Sequence, residues 1–242
     1  MIDEGILRIN IQKYLEEAYE REIPHSPDAF RVAEKNGFKL VPSPDQQECS
    51  DRPIYYNQED NPENQQWSIA RGIVKHIAFD LISEKSIPRS ICERIALSIA
   101  DRNSIRILIP DKYFADDYLS DNGDLFALKE KYHNAGYDAI ALACIDMLRE
   151  KNENGILTIV EKPAVTDKTA IQSRLSTSFC QIRDVPFTRL EEDILAKTLE
   201  TGEYGEDADE VILKGFHYVA KVRAWPTNYD KGQRIYIILK IL

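Results

Sequence analysis

The sequence predicts an α+β protein in two regions. A mostly helical region with a small sheet covers residues 1–152, and a small α+β region, mainly antiparallel sheet, covers residues 153–242. Three observations carry this. Apolar residues recur every three to four positions through most of the first 150 residues, the mark of helices with one buried face. After the turn-forming run Asn152-Glu153-Asn154-Gly155 the pattern shifts to short stretches of β-branched and aromatic residues. No window approaches the roughly 18 apolar residues of a membrane-spanning helix, so the 43% apolar content supplies a core.

Each element follows from local chemistry. Asn10–Glu22 reads as a helix through Ile11, Tyr14, Leu15, Ala18 and Tyr19, broken by Pro24 and Pro27. Ser26-Pro27-Asp28 opens a short second helix, with Ala29, Phe30 and Ala33 inward, and Gly37 ends it. Phe38–Val41 and Pro53–Asn57 read as strands. A long helix runs from Asn61-Pro62 to about Ser83, with Ala70, Ile73, Val74, Ile77, Ala78 and Leu81 as its inner stripe. Pro88–Ser104 is another helix, and Ile105–Ile109 is an aliphatic run stopped by Pro110. Leu125–Tyr132 and Tyr137–Leu148 form a helix-turn-helix-like pair.

Beyond the break, Ile156–Val160 and Arg174–Ile182 read as strands, and Pro186–Gly202 contains one helix. Glu210–Trp225 and Arg234–Leu242 read as a hairpin around Pro226–Gly232. The acidic run Glu203–Glu210 reads as a solvated loop, and the apolar RIYIILKIL as a central strand or a dimer contact. Phe216, Tyr218, Trp225 and Tyr229 read as core, with a small-molecule pocket as the alternative.

The formal net charge is −10, of which nine units fall within residues 1–150. Direct nucleic-acid binding needs a basic footprint, and none is visible. The second helix of the pair carries Asp138, Asp146, Arg149 and Glu150 and no basic face, so it is not a reading head. An acidic surface serves solubility or a basic protein partner, such as a DNA-binding protein. The opening MIDEGILRIN has no basic stretch followed by an apolar run, so a cytoplasmic location is expected. Cys49, Cys92, Cys144 and Cys180 form no CxxC pair, which points to reduced thiols rather than a disulfide framework or a structural zinc site.

Four motifs occur in a fixed order. Ala33-Glu34-Lys35-Asn36-Gly37 ends a helix, Pro53–Asn57 is PIYYN, Ala70–Leu81 is ARGIVKHIAFDL, and Leu97–Pro110 is LSIADRNSIRILIP. Together they resemble the ImmA/IrrE family of zinc metallopeptidase-like regulators, over roughly residues 10–150. The resemblance implies a zincin-like fold and tells which residues to check. In HExxH enzymes two histidines one helical turn apart bind zinc, and the glutamate between them activates water. Here Gly72-Ile73-Val74-Lys75-His76 stands in that place. The first histidine falls on Gly72, the glutamate on Ile73, the second histidine on His76, and the family's acidic third ligand on Leu97.

A catalytic zinc needs three protein ligands and an open water site. One imidazole and no base do not supply them, so no catalytic residue and no zinc are expected. Ile73 and Leu97 are expected to fill the former cleft with aliphatic contact, and His76 to remain as a hydrogen-bonded relic. Gly72 is expected to let another backbone approach closely. The leading expectation is therefore a catalytically inactive regulator that binds a protein partner, a transcriptional repressor, along a peptide-binding edge at Ile54, Tyr55, Tyr56 and Asn57. One alternative is a zinc-dependent endopeptidase using His76 and Glu93 as non-standard ligands. Another is a small-ligand sensor working through residues 153–242, where some relatives carry a GAF-like domain.

Overall fold

The computed structural model describes residues 3–20, 22–42, 53–83, 88–166, 168–177, 187–213, 215–229 and 232–242. Cys49 and Cys180 lie outside the described residues, while Cys92 and Cys144 are buried and in no disulfide. The fold is mixed α+β and separates into two compact units, Met1–Ile140 and Ala141–Leu242. The division falls inside a helix, upstream of the Asn152–Gly155 turn at which the sequence shifts pattern.

The first unit is built around one long helix. Helix α1 (Glu4–Tyr19) starts earlier than the apolar spacing from Asn10 suggests, because Asp3 caps it and accepts the Gly5 N–H. Its buried stripe is Leu7, Ile11, Leu15 and Ala18. Helix α2 (Ala29–Lys35) is capped by Asp28. Strands β1 (Lys39–Pro42) and β2 (Pro53–Tyr56) pair in parallel, Leu40 opposite Ile54. Helix α3 (Pro62–Ser83) then contacts α1, α2, β2 and the two helices that follow it, α4 (Arg89–Asn103) and α5 (Ile105–Leu108). The run Ile105–Ile109 is thus one helical turn with Ile105, Ile107 and Leu108 buried, rather than an extended stretch. Helix α6 (Asp111–Ser120) has no counterpart in the sequence analysis. Helices α7 (Leu125–Lys131) and α8 (Tyr137–Glu150) match the predicted pair, with α8 passing into the second unit.

Polar side chains tie this unit together across long sequence separations. Gln66 on α3 accepts the Ala29 N–H at 2.7 Å and donates to Asp28 at 2.8 Å. Asn134, in the turn after α7, donates to the carbonyls of Ser26 and Pro27, and its N–H reaches the Ser26 hydroxyl at 2.8 Å. The helix pair is therefore anchored to the proline-rich turn. Asp117 on α6 accepts the Tyr132 hydroxyl at 2.6 Å and the Lys131 ammonium at 2.9 Å. Burial alone would raise its pKa, but these two hydrogen bonds outweigh that and hold its carboxyl below the usual range.

The second unit takes in the later turns of α8 and is otherwise one antiparallel sheet with a further helix on one face. Its strands are β3 (Gly155–Pro163), β4 (Ala170–Ser176), β5 (Gly205–Leu213), β6 (Phe216–Tyr229) and β7 (Gly232–Ile241). They lie in the order β4-β3-β7-β6-β5. The apolar end of the sequence is therefore the central strand. The acidic run Glu203–Glu210, expected as a loop, enters strand β5 at Gly205; an edge strand tolerates carboxylates because only Gly205 and Val211 on it are buried. Glu210–Trp225 is likewise two strands, joined through Gly215 at φ +83°.

Helix α9 (Arg189–Thr201) opens with a reciprocal cap between Thr188 and Glu191 and ends at Gly202 in the left-handed region. Leu190 and Ile194 on α9 pack with Val160, Val222, Ala224, Ile235 and Ile237. At the β4 side, Arg174 and Glu191 form a fully buried bidentate ion pair, 2.6 and 2.9 Å. Arg174 also donates to the Thr158 hydroxyl and lies over the Phe187 ring. The four aromatics expected as one core set are not one: Trp225 is buried, whereas Phe216 projects into solvent.

Candidate functional site

The residues singled out by the motifs converge on β2, α3 and α4. Asn57 ends β2 by folding its side chain into the turn, accepting the Glu59 N–H and donating to Asp60. Asn61 then caps α3 by accepting the Asn64 N–H at 2.8 Å. This short turn brings β2 back along the face of α3 that carries Gly72.

There the glycine is required. A Cβ at position 72 would sit 2.5 Å from Ile54 Cγ2, 3.0 Å from Cγ1 and 3.2 Å from Cβ of the same side chain. Ile54 is 1% exposed and β-branched, so it has little freedom to yield. A close approach does occur there, but it is made by the Ile54 side chain and not by another backbone. Any residue with a side chain at 72, histidine included, would have to displace it.

The neighbouring positions carry different environments. Ile73 is fully buried in the inner stripe of α3, so an aliphatic residue stands where the family has its general base. His76 is half-buried beside that stripe. Its Nε2 lies 3.4 Å from the Pro53 carbonyl, and its ring sits 5.4 Å, centroid to centroid, from Phe38. Leu97 does not do what the sequence suggests. It is 37% exposed, because the buried face of α4 is the small-residue stripe Cys92, Ala96, Ala100 and Asn103. One position along a helix turns the side chain by about 100°, which carries Leu97 off that stripe. The close neighbour at Gly72 is Ile54 from β2.

Glu93, the partner suggested for His76, is engaged on its own helix. Arg89 Nε donates to its Oε1 at 2.9 Å. Among the described residues no group of three or more His, Cys, Asp and Glu side chains is placed to hold a metal ion.

The suggested peptide-binding edge is a short strand with one neighbour. Among the described residues, β2 pairs with β1 alone. Tyr55, Tyr56 and Asn57 are half-buried, and the Tyr56 ring meets Phe30 edge-on at 5.2 Å. The sequence analysis missed two contributors, Ile54 as the occupant of the space at Gly72 and Phe38 as the ring against His76. Glycine inside an otherwise regular helix was the signal for the first. Nothing local in the sequence signals the second.

No family model matches the chain, and no curated protein does. Among solved structures, a Mycobacterium tuberculosis transcriptional regulator superposes with a TM-score of 0.61 at 11% identity, over 97% of this chain and 76% of that one. At that identity the likeness is one of fold.

Proposed function

We propose that this chain is a catalytically inactive, metallopeptidase-like regulatory protein of the ImmA/IrrE type, which binds a protein partner and holds no zinc. One observation supports it above the others: the Ile54 side chain lies where a ligand at position 72 would begin. Position 73 is an aliphatic core residue and position 97 a partly exposed leucine, leaving His76 as the one donor at the four family positions. A single imidazole is one of the three protein ligands that a catalytic zinc requires.

Partner binding does not need the metal. An extended segment can add to β2 on the side away from β1, gaining main-chain hydrogen bonds there. The acidic balance of residues 1–150 favours a basic partner, such as a DNA-binding repressor. The fold shared with a transcriptional regulator is consistent with a regulatory role for this chain. The test has two arms. Metal analysis after mild dialysis is expected to find no bound zinc; one equivalent per chain would overturn the inactive assignment. A photo-crosslinker at Tyr55 is expected to capture a DNA-binding protein that a crosslinker at Lys13 does not. Equal capture at both positions would remove β2 as the binding edge.

A further inference from the structure

The sheet of the second unit is longer than the helix that covers it. Residues of β6 with even numbers face α9: Ala220, Val222 and Ala224 are in its core. By the two-residue period of a strand, Tyr218 and Phe216 continue that face. Opposite them, on β5, Val211 pairs with Tyr218 and Leu213 with Phe216. Val211 is still buried, Leu213 is half-buried, Tyr218 is 37% exposed and Phe216 is 67% exposed. The apolar face thus runs past the core under α9 and ends in solvent. Neighbouring exposed apolar side chains rimmed by charge mark a candidate interaction site.

The same face carries charge. Asp207 and Asp209 share the parity of Val211 on β5 and are exposed. The other two carboxylates of the strand face the opposite way and are answered: Glu206 by Lys221 and Arg223, Glu210 by His217 at 2.6 Å. Asp207 and Asp209 instead accept the N–H of the residue that follows, Ala208 at 2.8 Å and Glu210 at 2.7 Å. Those two N–H groups point away from β6. The Val219 carbonyl, which accepts from Leu242, faces the β7 side, so odd residues of β6 turn to β7 and even ones to β5. Their β5 partners are odd, which leaves the even residues of β5 outward. Two outward donors of the edge are therefore taken, and strand addition to β5 is blocked there. What remains open is the face.

We propose that this overhanging face, Leu213, Phe216 and Tyr218 bordered by Asp207 and Asp209, docks an amphipathic helix of a protein partner whose apolar stripe is edged with Lys or Arg. A helix covers the exposed end of the sheet as α9 covers the rest, and its cations meet the two carboxylates that, among the described residues, no side chain answers. The surface lies in the second unit and does not depend on the assignment of β2.

The probe is a fluorescent 15-residue helical peptide with leucine on one face and lysine along its borders, titrated into the full chain and followed by anisotropy. Saturable binding is expected. It weakens at least about tenfold in Phe216→Ser/Tyr218→Ser, since burying an aromatic side chain contributes that much or more. It weakens severalfold in Asp207→Asn/Asp209→Asn, with a shallower salt dependence. A peptide with glutamate in place of lysine does not bind. Circular dichroism and melting of the variants confirm that they fold. Equal binding by all variants would overturn the proposal, as attraction to the acidic chain at large would then suffice. So would equal binding of the glutamate peptide. Sedimentation showing a dimer that Phe216→Ser dissolves would assign the face to a second copy instead.

Discussion

The two units bury polar groups in opposite ways. In Met1–Ile140 the polar ties are dispersed: Gln66 to Asp28, Asn134 to Ser26 and Asp117 to Tyr132 and Lys131 each join different pairs of segments. In Ala141–Leu242 they are concentrated. Arg174, Glu191, Thr158 and Thr188 share one network, in which a single carboxylate both caps α9 and neutralises a buried guanidinium. Dispersed ties degrade gradually, since each is a net contribution of about 0.5–1.5 kcal/mol. A concentrated network fails at one point, because removing one ion strands the other in low dielectric.

The largest expected effect lies in that network. Arg174→Met leaves Glu191 buried without its cation and is expected to cost about 3–5 kcal/mol in urea unfolding. Adding Glu191→Leu should recover most of the loss, although the helix then lacks its cap. A double variant as unstable as the single one would mean that packing around the guanidinium, not charge, holds the region.

Next comes the contact between β2 and α3. Ile54→Ala is expected to cost about 2–5 kcal/mol through the cavity it leaves. Gly72→Ala gains up to about 1 kcal/mol of helix propensity but overpacks against Ile54, at about 1–3 kcal/mol. The double variant should be more stable than the sum of the two changes, because the new methyl enters the space that Ile54 vacated. Simple additivity in thermal melts would show that the two side chains do not compete.

Smallest is a pH effect in the first unit. Asp117 has a lowered folded-state pKa, so its contribution is complete above the unfolded value of about 4 and is lost as pH falls through the folded value. Asp117→Asn is expected to cost about 1–3 kcal/mol at pH 7, and the gap to wild type should close in acid. A gap that does not narrow at all as pH is lowered until the wild type unfolds would mean that Asp117 acts by shape alone.

Much of the fold is legible because periodicity reports burial. Helix α3 reads clearly since Ile69, Ile73, Val74, Ile77 and Ala78 form a stripe. Helix α6 is silent for the same reason: Asp111–Ser120 buries only Phe114 and Asp117, so no stripe exists to be read. Strand β5 is hidden because both its faces reach solvent and its carboxylates resemble those of a loop. At the candidate site, the absence of a donor side chain at Gly72 and Ile73 is plain from the sequence itself. The side chain packed against Gly72 is not, since Ile54 comes from another element and proximity to it is a tertiary fact. Leu97 shows the converse: the motif fixes a position in the chain, but the small residues Ala96 and Ala100 decide which side of α4 faces inward.

The order of strands in the second unit has a consequence for biosynthesis. β7 is the last of the five strands in sequence order yet lies between β3 and β6, so the hairpins β3–β4 and β5–β6 have no strand in common until it arrives. As residues emerge from the ribosome at about 5–20 per second, α9 waits over two unjoined ribbons with half a floor beneath it. The helical unit can consolidate early, while the sheet closes in one late step. Shortening the chain before Ile235 should therefore yield a protein with an intact first half and an unfolded second.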